Sequence, residues 1–552
     1  MRRLLLFSIS FFIALAPAGW ARAELANAAI ASAHPLASAA GKDILDQGGN
    51  AFDAAVAVAA ALAVVEPYSS GLGSGGFFLL QRARDGRPIL LDARETAPHD
   101  AREALYNAHA GASLDGGLAA AIPGLPAGLD RLARRYGRLP LKVTLAPAIR
   151  LAEQGFPVDA RLRAMLSLRQ VLLQGNADAA RQFLSAGAVP ALGAVLRQPT
   201  LAATLKTLAA RGRAGFYRGP VARELLRSVR AAGGVWRSAD LERYRVIERA
   251  PLVFDYRGLH ITTTPPPSAG GVVLAQALNI LARYDLAALD DGTRMHLTVE
   301  AMRRAYQDRG LLGDPEFVAN PITRLMSPRY AAQRAQSIDL GNATRSADLG
   351  AAAVPRQGDH TTHFSIVDRA GNRVAATLSI NTPFGSGVVA GSTGVLLNNE
   401  MDDFSIGESA NIYGLAPSRA NRIAPGKRPL SSMTPTFVED RRGVLLLGTP
   451  GGARIISMVL LGILNYAAQP TVDLTALVAA PRFHHQYLPD RIELEPDAFN
   501  PALLDDLQLR GHVLSIANRP WGNMQAVWVD KTTGKTYAAS DPRGQGSGLA
   551  WY

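Results

Sequence analysis

The chain is 552 residues long and contains no cysteine, which rules out disulfides, cysteine nucleophiles and thiolate metal sites. Its formal charge of +12 is dispersed without an aromatic-interleaved basic patch, so no nucleic-acid partner is expected. With 48% hydrophobic residues, a chain this long can build its core by burial alone.

The N-terminus reads Met1-Arg2-Arg3, runs apolar from Leu4 to about Ala16 and reaches Ala21-Arg22-Ala23. That is the layout of a secretory signal peptide, residues 1–23, and it predicts export to the periplasm or the medium. The apolar run is shorter than the roughly 20 residues of a membrane span, as are Ala51 to Val65 and Ile455 to Leu464, so no span is expected after signal removal. Gly48-Gly49-Asn50-Ala51-Phe52-Asp53 opens an Ala/Val-rich helix. Gly71-Leu72-Gly73-Ser74-Gly75-Gly76 then leads into a strand, Phe77-Phe78-Leu79-Leu80-Gln81. These glycines satisfy the spacing of a dinucleotide-binding loop, but that loop follows a strand and opens a helix. With the order reversed, they predict a close-packed helix-to-strand connection. The region 159–245 reads as helical, rich in Arg and Ala. No linker, acidic block or repeat divides the chain.

Thr361 and Thr362 open a β-patterned run to Val367. Asp368-Arg369-Ala370-Gly371-Asn372 supplies a turn, and Val374 to Ser379 resume the pattern. This is a hairpin with a hydroxyl at its start. Two threonines at a strand edge ordinarily just fill a pleat, so the functional meaning depends on their company. Farther on, His484 and His485 are adjacent and point to opposite faces of an extended chain, and no His-Glu-x-x-His pattern completes a zinc site. No metal or other cofactor is expected. The absence of a Gly-x-Ser-x-Gly elbow argues against an α/β-hydrolase.

The company is extensive. It includes Gly48 to Ala55, Gly71 to Phe78, Asp92 to Pro98, Pro265-Pro266-Pro267-Ser268-Ala269-Gly270-Gly271 and Gly313-Asp314-Pro315. Thr361 to Asn381, Leu397 to Ser405, Lys427 to Met433, Pro450-Gly451-Gly452 and Ala480 to His485 follow in order. With these motifs the chain resembles the γ-glutamyltransferase (γ-glutamyltranspeptidase, glutathione hydrolase) family of N-terminal nucleophile hydrolases over nearly its whole mature length. The resemblance implies an α+β fold, a four-layer αββα sandwich. It also implies autocatalytic cleavage between His360 and Thr361, giving a heavy subunit, 24–360, and a light subunit, 361–552, intertwined as one globular heterodimer.

Cleavage there frees an α-amino group that titrates at about 7.7–8.0 and can take the proton of the Thr361 hydroxyl. By resemblance, Thr361 attacks the γ-amide of glutathione or another γ-glutamyl compound, and water, an amino acid or a dipeptide accepts the group. Thr362 and Ser379 match positions that orient the nucleophile, and Gly451 and Gly452 match the oxyanion hole. Arg94, Ser431 and Ser432 match the binding site of the α-carboxylate; Asn381, Glu400 and Asp403 match that of the α-ammonium. Ser379 departs from the family's usual threonine but keeps the hydroxyl, and Glu400 stands where relatives carry glutamine or glutamate. The segment 406–428 resembles the family's pocket-covering loop, with Tyr413 as its anchoring aromatic.

Two other readings use the same residues. A glutaryl-cephalosporin-type β-lactam acylase would share the fold but take a substrate without the α-ammonium, leaving Glu400 and Asp403 no counter-ion. A catalytically inert periplasmic binding protein would keep the fold and lose the chemistry.

Overall fold

The computed structural model describes residues 25–109, 111–350, 361–407 and 410–552. The signal-peptide reading of residues 1–23 and the assignment of His360 lie outside the described residues. Seven antiparallel strands form one sheet in the order Ser547–Trp551, Ala28–Ser32, Thr362–Val367, Arg373–Ser379, Gly75–Gln81, Pro88–Asp92 and Ile247–Arg249. Six more form a second antiparallel sheet in the order Thr536–Ser540, Gln525–Asp530, Gly443–Gly448, Thr436–Glu439, Leu259–Thr263 and Leu252–Tyr256.

Side chains alternate faces along a strand, and that alternation assigns the layers. Phe78 and Leu80 join one core with the helices Ala51–Val65 and Leu125–Tyr136. Phe77 and Leu79 point the other way, into a core shared with Leu445, Leu447 and Val527 of the second sheet. Each fully buried Phe contributes roughly 1.5–3 kcal/mol, so both faces of the seven-stranded sheet must be covered. Helices pack on one face and the second sheet on the other. The helices Gly270–Leu281, Asp291–Arg309 and Arg454–Ala468 close the far side, completing the four-layer αββα sandwich.

Local chemistry sets the elements that carry the site. The helix Ala51–Val65 is buried along its whole length and opens with a capping box: Asn50 Oδ1 accepts from the Asp53 N–H, and Asp53 Oδ2 accepts from the Asn50 N–H, both at 3.0 Å. The hairpin strands are Thr362–Val367 and Arg373–Ser379, and the intervening Gly371 has a φ of 84°. The hairpin turn is pinned to that helix, because Asp368 Oδ2 accepts the Ala51 N–H at 2.8 Å. The glycines 71–76 do make a close helix-to-strand connection: a Cβ on Gly73 would collide with the Leu396 carbonyl, and one on Gly75 with that of Ala93. Six helices between Ala160 and Arg243 account for the Arg- and Ala-rich region.

Candidate active site

The mouth of the hairpin brings its first and last hydroxyls together. Leu378 pairs with Thr362, so Ser379 lies beside Thr361, and the buried Thr361 hydroxyl donates to Ser379 Oγ at 3.2 Å. Ser379 Oγ also accepts the Asn381 N–H at 2.9 Å. Asn381 itself has a φ of 75°, a left-handed conformation that asparagine tolerates better than most residues, and its Nδ2 donates to the Asn399 carbonyl at 2.9 Å. Thr362 follows the pleat to the other face, where its hydroxyl donates to Glu66 Oε2 at 2.8 Å. Its link to Thr361 is therefore through the backbone, and its hydroxyl serves Glu66. Burial pushes the Glu66 carboxyl above its ordinary range, and the Tyr68 hydroxyl also donates to it at 3.1 Å.

Gly451 and Gly452 precede the helix Arg454–Ala468 with φ values of 139° and 55°, which favour glycine. Neither N–H donates to another group among the described residues. Both lie at the positive end of a helix dipole. The following carbonyl, of Ala453, accepts from the Tyr306 hydroxyl and is thereby fixed. Thr361 stands between two openings. The smaller is lined by Gly452, Ser379, Asn381, Arg94, Asp403, Tyr413, Ser431 and Ser432. The larger is lined by residues that include Gly451, Glu66 and Trp521.

In the smaller pocket Arg94 is 1% exposed and holds three acids. Nη1 meets Glu400 Oε2 at 2.7 Å and Glu95 Oε2 at 3.4 Å, and Nη2 meets Asp403 Oδ2. Its Nε donates to the Pro429 carbonyl at 3.3 Å. Burial works against the Arg94 charge, but Glu400, Asp403 and Glu95 outweigh it and hold the guanidinium firmly protonated. The acids show the cost of crowding. Burial pushes Glu95 up to about 7 and raises Glu400 as well, against the opposing pull of Arg94. Glu95 Oε1 and Glu400 Oε1 are buried without a partner.

Ser431 and Ser432 are presented by a loop that the proline motif supports: the Ser431 N–H donates to the Pro267 carbonyl at 2.8 Å and the Ala269 N–H to the Ser431 carbonyl at 2.9 Å. Ser431 Oγ accepts the Met433 N–H at 3.1 Å, and Ser432 Oγ accepts from Arg309 Nη2 at 3.4 Å. Arg309 ends the helix Asp291–Arg309. In sequence it is an ordinary basic residue at a helix C-terminus, favoured there by the dipole, and nothing in its spacing marks it for the pocket.

Tyr413 reaches across the pocket. Its hydroxyl donates to the Asn381 carbonyl at 2.7 Å, and its own carbonyl accepts from Gln486 Nε2 at 3.0 Å. Gln486 Oε1 in turn meets His484 Nε2 at 2.8 Å, while His484 Nδ1 faces Ser457 Oγ at 2.7 Å on the helix Arg454–Ala468. His485 points the other way, toward Asp490 at 3.3 Å. Burial depresses both imidazoles to about 4, so both are neutral at ordinary pH. Elsewhere, ligand atoms of His296, Glu300 and His512 approach within 4.8 Å. The two rings already share a 2.8 Å hydrogen bond, and Glu300 pairs with Arg303 and Arg304, so the cluster is a poor cation site.

Two antiparallel sheets packed face to face between helical layers, with a hydroxyl residue at the head of a central strand, define an N-terminal nucleophile hydrolase fold. A cephalosporin acylase from Bacillus halodurans superposes with a TM-score of 0.84 at 29% identity, over 100% of both chains. A γ-glutamyltranspeptidase from Helicobacter pylori gives 0.55 at 36% identity over 57% of this chain and 93% of its own. In sequence, a glutathione hydrolase proenzyme of Pseudomonas sp. (strain A14) is 41% identical over 543 residues, 95% of this chain and 94% of the relative. The family model described as gamma-glutamyltranspeptidase matches residues 37–551, and the chain belongs to that family.

Proposed function

We propose that the protein is an exported, self-processing γ-glutamyltransferase that cleaves glutathione and related γ-glutamyl amides through an ester on Thr361. Residues 1–23 direct export. Thr361 Oγ attacks the His360 carbonyl, and hydrolysis of the resulting ester leaves chains 24–360 and 361–552 with a free amine on Thr361. In turnover that amine takes the hydroxyl proton as Oγ attacks the γ-carbonyl carbon. The oxyanion forms against the Gly451 and Gly452 N–H groups, and the C–N bond breaks as the leaving amine is protonated. Water then releases glutamate, or an amino acid or dipeptide amine takes the group and makes a new γ-glutamyl bond.

The observation that carries this reading is the Thr361 hydroxyl, 3.2 Å from Ser379 Oγ, in one pocket with Gly452 and the Arg94–Asp403 pair. Arg94, Ser431 and Ser432 serve the α-carboxylate, and Asn381, Glu400 and Asp403 the α-ammonium. The partnerless Oε1 of Glu400 supports an ammonium in the complex. Tyr413 closes the pocket over the bound donor. The decisive experiment is mass spectrometry and a denaturing gel on wild type and Thr361→Ala. Two fragments in the first, the smaller beginning at Thr361, and one uncut chain in the second are expected; normal processing of Thr361→Ala removes Thr361 from its role. Turnover of a γ-glutamyl anilide above that of a glutaryl anilide separates this activity from the acylase reading.

A further inference from the structure

Buried guanidinium groups in this fold face carboxylates. Arg94 faces Glu400, Arg303 and Arg304 face Glu300, and Arg373 faces Glu439. Arg428 faces Asp92, Arg454 faces Glu493 and Arg482 faces Asp541. Arg309 breaks the rule. It is 7% exposed, and no carboxylate lies within ion-pair distance of it among the described residues. Its Nε is buried without a partner, and the 3.4 Å bond from Nη2 to Ser432 Oγ is at the long limit for a hydrogen bond. A guanidinium has five donors in a fork suited to a carboxylate, so most of this one's capacity is open. Arg309 lines the same pocket as Thr361, Arg94 and Ser432. Burial lowers its proton affinity to about 10, with the Arg94 charge adding to that and Asp403 and Tyr306 pulling the other way.

Arg94, the guanidinium expected to clamp the substrate, is in the opposite state. Nη1 meets Glu400 and Glu95, Nη2 meets Asp403 and Nε meets the Pro429 carbonyl, so each of its three nitrogens already donates. Arg94 therefore meets an incoming carboxylate with its donors shared among these acids, which leaves room for a second guanidinium beside it.

We propose that Arg309 is a further substrate-binding residue that joins Arg94, Ser431 and Ser432 in receiving the α-carboxylate of the donor and strengthens the preference for acyl groups carrying that carboxylate. The assignment rests on the γ-glutamyl donor proposed above. Arg94 then has a second task, holding Glu400 and Asp403 in place for the ammonium, and the donor carboxylate supplies the counter-charge that Arg309 lacks in the free enzyme.

The test compares γ-glutamyl p-nitroanilide with 4-aminobutanoyl p-nitroanilide, the same acyl group without its α-carboxylate, in wild type, Arg309→Met and Arg309→Lys. For Arg309→Met, KM for the γ-glutamyl substrate should rise about thirtyfold or more with kcat within about threefold, as for loss of one partner of a buried charge pair. Turnover of the 4-aminobutanoyl substrate should change little, so the wild-type preference shrinks by the same factor. Arg309→Lys, a point charge in place of a fork, should fall between. An equal loss on both substrates, or no loss on either, overturns the proposal. Should Arg309→Met fail to process, inhibition of Arg309→Lys by glutamate and by 4-aminobutanoate decides: weakening confined to glutamate supports it, and equal weakening or none refutes it. Wild type that cuts only glutaryl anilides refutes the donor assignment alone. Glutaryl and butanoyl anilides then form the matched pair, and Arg309 is judged on them by the same criterion.

Discussion

Ser379→Ala isolates the hydroxyl that the chain offers to Thr361, the proposed nucleophile. Ser379 Oγ accepts from Thr361 Oγ1 at 3.2 Å and from the Asn381 N–H at 2.9 Å, so truncation removes one partner from each of two buried donors. A buried donor left without its acceptor costs about 1–3 kcal/mol. The Asn381 term falls on a residue that shapes the pocket and receives the Tyr413 hydroxyl through its carbonyl. The Thr361 term falls, on the proposed mechanism, on the direction of attack. Of the combined loss, about 1.4–2.7 kcal/mol appearing in the transition state corresponds to a tenfold to hundredfold fall in kcat. Ser379→Thr keeps the acceptor and should stay within about threefold of wild type. Steady-state release of p-nitroaniline from γ-glutamyl p-nitroanilide, on enzyme first shown by gel to be fully processed, measures both. Wild-type kcat in Ser379→Ala, or equal damage in Ser379→Thr, would refute the reasoning that the hydroxyl positions Thr361.

The raised Glu95 carboxyl makes a stability prediction with a definite sign. Its pKa stands at about 7 in the fold against 4.5 for the ordinary side chain, so its contribution is complete below about pH 4.5 and is lost as pH rises through about 7. Between those values stability should fall by on the order of 1.4 kcal/mol per pH unit for this one proton. Thermal unfolding of Thr361→Ala, which is expected to stay uncut, followed from pH 5 to 8, should show that slope reduced by Glu95→Gln; an unchanged slope counts against it. Gln486→Ala removes the bond that holds the Tyr413 carbonyl at 3.0 Å. One hydrogen bond of about 0.5–1.5 kcal/mol predicts a KM for the donor raised about threefold to tenfold with kcat little changed, and an unaltered KM would sink the latch.

What the sequence disclosed was governed by separation along the chain. The hairpin was legible because Thr361 and Ser379 are joined by one turn with its own punctuation. The Gly71–Gly76 connection was legible because element order excludes the competing loop. Contacts between distant segments were hidden. Thr362 was expected to steady Thr361, yet its hydroxyl belongs to Glu66, 296 positions away. The Arg94 guanidinium does meet its neighbour Glu95, but Asp92 accepts only the Arg94 backbone N–H, and Glu400 and Asp403, far along the chain, bind the guanidinium as well. The partners of Tyr413 depend on a loop meeting a turn and a strand end, which no periodicity encodes.

The strand Ala28–Ser32 is hydrogen-bonded along one edge to Thr362–Val367 and along the other to Ser547–Trp551. A break at 360/361 therefore leaves a ribbon of the first fragment laced between two ribbons of the second. Assembly of the uncut chain is unimolecular, with the partners held at high effective concentration. Once severed and melted, the pieces must find each other by diffusion, and recovery becomes second order. The lifetime of the enzyme, cut as proposed, is thus set by how slowly it opens, and the scission that would arm the catalyst would also make its unfolding practically one-way.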